Sequence, residues 1–153
     1  MIPPKPTGEA VPFDKGNVIY EIDPQGYITY ANRTFMSISQ YDKSELLGTH
    51  YSDIIDPHMP KALFKCMQET TAKDQVWQGY VKNLRADGAY YWSVAYVTPK
   101  KDDKGEVTGF TAMYQTPDLS MVKEINQMYK KVYLLEQRGE DTCDIIKNFH
   151  LER

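Results

Sequence analysis

Residues Trp77–Trp92 read WQGYVKNLRADGAYYW. Two tryptophans and three tyrosines fall within this short stretch, on either side of Arg85-Ala86-Asp87-Gly88. Asp-Gly between alternating apolar runs is a hairpin signal. Trp77–Leu84 and Ala89–Thr98 are therefore expected to pair as antiparallel strands. Alternation along a strand puts Trp77, Gly79, Val81 and Asn83 on one face, and Tyr91, Ser93, Ala95 and Val97 on one face of the partner. Tyr90, Trp92, Val94 and Tyr96 form the opposite face. An exposed aromatic face of that size marks an interface, so the arm, the tail or a second subunit is expected to cover it.

Outward from the hairpin the pattern continues. Lys100–Glu106 (KKDDKGE) reads as a polar turn, and Val107–Gln115 as the next strand. Upstream, Val18–Ile22 (VIYEI) and Tyr27–Ala31 (YITYA) flank Asp23-Pro24-Gln25-Gly26, whose Pro and Gly suit a tight turn. Short helices are expected between the strand groups. Asn32 can cap Arg33–Ser39, Asp42–Glu45 has a capping-box pattern with Gly48 as a stop, and Pro60 suits the first position of a helix to about Thr71. The order predicts an α+β fold, an antiparallel sheet with helices grouped on one face. Residues 1–16 read as an extended arm, 17–117 as the domain and 118–153 as a helical tail. In the tail Val122, Ile125, Met128 or Tyr129, Val132 and Leu135 share a stripe to about Arg138, and Asp141–Phe149 suits a short final helix.

Composition narrows the function. The 153 residues are 41% hydrophobic and 25% charged, with a net charge of -3, so no basic face for nucleic acid is indicated. No apolar run approaches the roughly 20 residues of a membrane span, and the Pro- and Gly-containing start is not a secretory signal. Cys66 and Cys143 have no metal-ligand spacing and do not resemble a disulfide framework, which suits a reduced, cytoplasmic protein. No nucleophile–base pair, metal-ligand cluster or phosphate-binding glycine loop stands out, so an enzyme is not expected.

The element order resembles a PAS domain, and particular residues sharpen the resemblance. Tyr27–Phe35 (YITYANRTF) and Tyr41–Gly48 (YDKSELLG) resemble the family's strand-to-helix segments. Met59–Phe64 (MPKALF), Trp77–Asn83 (WQGYVKN) and Asp87–Pro99 (DGAYYWSVAYVTP) resemble its aerotaxis-receptor branch in particular. The resemblance spans roughly residues 10–117. It implies a five-stranded PAS fold and a sensory module that holds FAD non-covalently and reports redox or energy state. It also implies that Asn32, Phe64, Trp77 and Asn83 stand at flavin-contacting positions. One segment departs from it: where the family carries Arg-His-Pro-Asp-Met-Pro, this chain has Ile55-Asp56-Pro57-His58-Met59-Pro60.

The residues can be weighed for a pocket directly. Gly79, Ser93 and Ala95 are small and would leave a hollow at the sheet centre, with Trp77 and Tyr91 as its walls. A flavin ring needs apolar walls with a few fixed polar groups. The amides of Asn32 and Asn83 offer donors and an acceptor. Each residue also has a plainer role: Trp77 as core, Asn32 as a helix cap, Asn83 as a backbone partner. His58 could ligate a haem iron or simply be exposed, and Cys66 lies outside a photoactive cysteine motif. Two function classes follow. One is an FAD-binding redox sensor, forming a homodimer and passing its output to a membrane-bound chemotaxis transducer or another signalling protein, without inserting into the membrane itself. The other is a cofactor-free docking module, with a haem or small-metabolite sensor as a further possibility.

Overall fold

The computed structural model describes residues 3–140 together with 142, 144–146 and 149. Five strands, β1 (Val18–Ile22), β2 (Ile28–Ala31), β3 (Trp77–Leu84), β4 (Tyr90–Lys101) and β5 (Val107–Gln115), form one antiparallel sheet in the order β2-β1-β5-β4-β3. Helices α1 (Arg33–Ser39), α2 (Lys43–Leu46) and α3 (Lys61–Ala72) and a 3-10 turn at Tyr51–Ile54 intervene between β2 and β3, and α4 (Leu119–Gln137) follows β5. The expected α+β arrangement is the one observed.

Local chemistry explains most boundaries. Asp23 accepts from the backbone of Gln25 and Tyr27 at 3.0 Å each, while Gly26 N donates to Asp23 O, closing the β1–β2 turn. Asn32 accepts from Phe35 N at 3.0 Å and starts α1. Asp42 and Glu45 form the reciprocal capping box at α2. The β3–β4 register pairs Trp77 with Val97 and Asn83 with Tyr91, the hairpin expected from Asp87-Gly88.

Three boundaries differ from expectation. β4 continues to Lys101 because Lys100 and Lys101 still pair with Gly109 and Val107. Their ammonium groups also find Glu21 at 3.2 Å and Asp74 at 2.9 Å. Pro60 is the N-cap of α3 rather than its first residue, and no side chain of its own caps the helix. Cys66, buried in α3, is disulfide-bonded, correcting the expectation of reduced cysteines. Cys143 and parts of the expected final helix over 141–149 lie outside the described residues, within which 144–146 are helical.

The tail helix belongs to the same body as the sheet. Ile125, Met128, Tyr129 and Val132 are buried, the stripe expected from helical spacing. The Tyr129 ring stacks on Trp92 at 6.2 Å, and its hydroxyl donates to Tyr80 O at 2.8 Å, both on the sheet's outer face. The arm covers the start of β4: Tyr90 N donates to Glu9 O, Val11 N donates to Tyr90 O, and Phe13 packs edge-on against Tyr91. The outer aromatic face is thus covered partly by the chain's own tail helix.

Candidate functional site

The inner faces of β3 and β4 are those the alternation predicts. Trp77, Gly79, Val81 and Asn83 point inward from β3, and Tyr91, Ser93, Ala95 and Val97 from β4, all buried. The hollow expected over Gly79 is filled by the chain itself. A Cβ on Gly79 would collide with the Trp77 ring, so the indole lies flat along the strand over this residue. Glycine here makes room for a neighbouring ring instead of leaving space.

Asn83 lies on the same face beyond Val81. Its Nδ2 lies 2.9 Å from Ser93 Oγ, 3.2 Å from Val81 O and 3.3 Å from Tyr91 O. Two amide protons thus meet three protein acceptors within the sheet. Asn32 is equally engaged: Oδ1 accepts from Phe35 N and Ile19 N, and Nδ2 donates to Asn17 O. Asn32 does not converge with Trp77 and Asn83. His58 is also apart, with a side chain 71% exposed, Nδ1 3.5 Å from Asp56 and its ring 5.7 Å from Tyr133 of α4. Phe64 is half-buried on α3, with its ring 5.8 Å from that of Tyr51.

A cavity of about 360 Å³ opens between α3 and the inner face of the sheet. Ile22, Val97 and Phe110 form its sheet wall, Met67, Gln68 and Thr71 its helix wall, and Tyr51, His50 and Gln25 lie at its mouth. The volume is within the roughly 300–1,000 Å³ of small-molecule pockets. Trp77 pairs with Val97, and Phe64 precedes Gln68 by one helical turn, so both border this cavity without lining it. Gln68 hydrogen-bonds the Tyr51 side chain, whose pKa burial raises. His50 Nδ1 accepts from Ser52 N at 3.2 Å, so Nε2 carries the proton it shares with Gln25 O at 2.9 Å. Apolar walls with amide, hydroxyl and imidazole groups at one end suit a flat heteroaromatic ring, and one tricyclic ring matches the volume better than a whole dinucleotide. Among the described residues, no group of three or more His, Cys, Asp or Glu side chains is placed to hold a metal ion.

Several of these residues escaped the sequence reading. Gln68 and Thr71 follow Phe64 at helical spacing and could have been found from it. Tyr51 had no such signal, because the 3-10 turn carrying it has no periodic pattern.

The core behind the cavity is tyrosine-rich. The Tyr20 and Tyr114 hydroxyls lie 2.6 Å apart with both rings buried, and Tyr20 stacks on Phe35 at 4.9 Å. Burial, first, then the other tyrosine holds the Tyr20 phenol well above its ordinary pKa. Burial likewise raises Tyr91, Tyr114 and Tyr129. Tyr41 is pushed up to about 12 by burial and by nearby Glu45, Asp53 and Asp87.

One contact joins this site to the tail. The Glu136 carboxylate of α4 accepts from Lys61 N at 3.0 Å and Ala62 N at 2.6 Å, supplying α3 with the cap that Pro60 cannot give. A carboxylate there also opposes the positive end of the helix dipole. Glu136→Ala is expected to lower stability by about 1–2 kcal/mol, the usual range for a lost cap. Urea unfolding measures the loss, and hydrogen exchange at Lys61 and Ala62 should quicken. Unchanged exchange there would show that another group takes over the cap.

A family model described as the PAS domain matches residues 16–116, about two-thirds of the chain. The chain belongs to the PAS domain family. It is 33% identical over 117 residues to the aerotaxis receptor of Escherichia coli (strain K12), covering 76% of this chain and 23% of that receptor. It is 28% identical over 102 residues to a nitrogen fixation regulatory protein of Klebsiella pneumoniae, covering 67% of this chain and 21% of that protein. The PAS chain therefore spans less than a quarter of the length of these two relatives. A light-oxygen-voltage domain studied with a flavin analogue superposes with a TM-score of 0.59 at 19% identity, covering 80% of this chain and 86% of that one. At that identity the likeness concerns the fold. No described helix of this PAS protein is long and apolar enough to cross a membrane.

Proposed function

We propose that the chain is a cytoplasmic, non-enzymatic sensory PAS module that binds FAD without a covalent bond and reports redox or energy state. The observation that carries this reading is the apolar cavity beside Trp77, whose helix wall is capped by the tail through Glu136. The flavin would supply reversible electron uptake. Val97, Met67 and Phe110 would enclose its ring, Gln68 and Tyr51 would offer hydrogen bonds, and Trp77 and Phe64 would flank it. Tyr91, Ser93 and Ala95 would support this wall from the buried sheet centre, with Asn83 holding Ser93 in place. Asn32 and His58 are assigned no direct contact, since the first caps α1 and the second faces α4.

A change at the cavity would move α3, and α3 meets the tail at Glu136. We take the output to be a changed tail and sheet surface, read by a membrane-bound chemotaxis transducer or another signalling partner and presented by a homodimer. The likeness to the aerotaxis receptor supports this choice of partner.

A second reading, a cofactor-free docking module, is favoured by Asn83 and Trp77, whose groups are already engaged within the protein. Absorption of the protein purified without added cofactor separates the two. Flavin bands with FAD released on heating are expected, and Asn83→Ala should weaken retention. Colourless protein that cannot be loaded with FAD would leave the docking module. A strong haem band would instead require a ligand other than the outward His58.

A further inference from the structure

We propose that the buried Tyr20–Tyr114 hydroxyl pair is a ligand contact, donating its spare O–H to a carbonyl or ring-nitrogen acceptor on the edge of a flat heteroaromatic bound between α3 and the sheet. The inference rests on the flavin reading above and adds the residues that would recognise the ring's polar edge.

The argument begins with a proton count. Each hydroxyl carries one proton and can accept twice. At 2.6 Å the two oxygens share one proton, and either can be its donor. The other proton needs an acceptor. Among the described residues neither hydroxyl has another side-chain or backbone partner. Both residues are almost fully buried, at 3% and 2% exposure, so bulk water does not satisfy it. Phenylalanine at both positions would fill the same space and bury no polar group. Packing alone therefore gives no reason for two hydroxyls.

Their position supplies a reason. Ile22 and Phe110 face each other across β1 and β5, and both line the cavity. The next inward-facing pair along these strands is Tyr20 opposite Ala112. Ala112 also pairs with Val97, which lines the cavity from β4. On the inner face only the methyl group of Ala112 stands between Val97 and Tyr20. Tyr51, at the cavity mouth, is near enough to interact electrostatically with both phenols. The hydroxyl pair thus stands at the inner end of an otherwise apolar recess.

Its chemistry selects the ligand class. Burial keeps both phenols protonated at neutral pH, so the pair offers a neutral donor. No Lys or Arg lines the cavity. A phosphate or carboxylate would remain uncompensated there, whereas a neutral carbonyl or imine nitrogen needs only one donor.

The test uses the full chain, FAD as the probe, the double variant Tyr20→Phe/Tyr114→Phe and both single variants. Without FAD, the double variant should melt at or above the wild-type temperature, because removing both partners of a buried polar pair is close to neutral. With FAD, its dissociation constant should rise about tenfold, one lost hydrogen bond to the ligand, and the flavin absorption should shift. Each single variant retains one hydroxyl and its proton and should lose less affinity than the double. A lower melting temperature with unchanged FAD affinity would make the pair purely structural and overturn the proposal. If the double variant loses both, the singles decide: affinity falling in step with stability overturns it, and retained affinity in a destabilised single variant supports it. Wild-type protein that binds no FAD removes the flavin reading and this proposal together. Wild type and double variant binding FAD equally, with identical spectra, removes this proposal alone.

Discussion

Alkali is expected to unfold this protein cooperatively between about pH 10 and 11, before its buried tyrosines ionise. A phenol in the unfolded chain titrates near pH ~10. Tyr20, Tyr41, Tyr91, Tyr114 and Tyr129 are held above that value in the fold, each chiefly by burial. Their folded pKa values are raised, so their stabilising effect is fully present below about pH 10. Above it the unfolded chain releases protons that the native state keeps, and stability falls with every further rise in pH. Five such groups remove about 7 kcal/mol by pH 11, comparable with the roughly 5–15 kcal/mol total of an ordinary domain. Phenolate absorbance and circular dichroism, followed together, check this. The exposed tyrosines should ionise first and smoothly, and the buried set should ionise with loss of the fold. Complete ionisation with native dichroism retained would mean that these side chains reach solvent without unfolding.

Trp77→Ala should destabilise the protein by about 3–5 kcal/mol, as for large aromatic truncations in cores. The indole is 6% exposed and lies over Gly79, which has no side chain to move into the space it vacates. The void opens beside Val97, on the sheet wall of the cavity. Trp77→Phe should lose clearly less. Urea unfolding followed by circular dichroism gives both numbers, and a loss below about 1 kcal/mol for Trp77→Ala would show that the ring contributes little to the core. The same variant separates the functional readings. If Trp77 borders a flavin, FAD retention falls along with stability. If the protein is a docking module, stability alone changes.

Much of this architecture was legible because its signals are local. β3 alternates residue by residue from Trp77 to Leu84, and Asp87-Gly88 determines which strand pairs with it. The α2 capping box lies within four residues. The tail stripe from Ile125 to Val132 repeats at helical spacing. The site was less legible because its decisive contacts join distant parts of the chain. Asn83 was recognised as buried and polar, but its engagement with Ser93 depends on the hairpin register. Small residues at 79, 93 and 95 suggested empty space, and only the rotamer of Trp77 determines that the space over Gly79 is filled. The Tyr20–Tyr114 contact spans 94 residues, and the Glu136 cap reaches 75 residues back to Lys61. Pro60 signalled a helix start correctly in position to within one residue, but no local pattern names a capping group supplied by another helix.

The capping carboxylate also separates two kinds of boundary. The stretch recognisable as PAS by descent stops at residue 116, before α4 begins. Energetic closure comes later. A chain cut at 116 would retain every strand, yet it would bare Trp92 and Tyr80 and leave the first amides of α3 unanswered. Ancestry and autonomy therefore end at different residues, and the smallest piece expected to melt as one unit extends at least through Glu136.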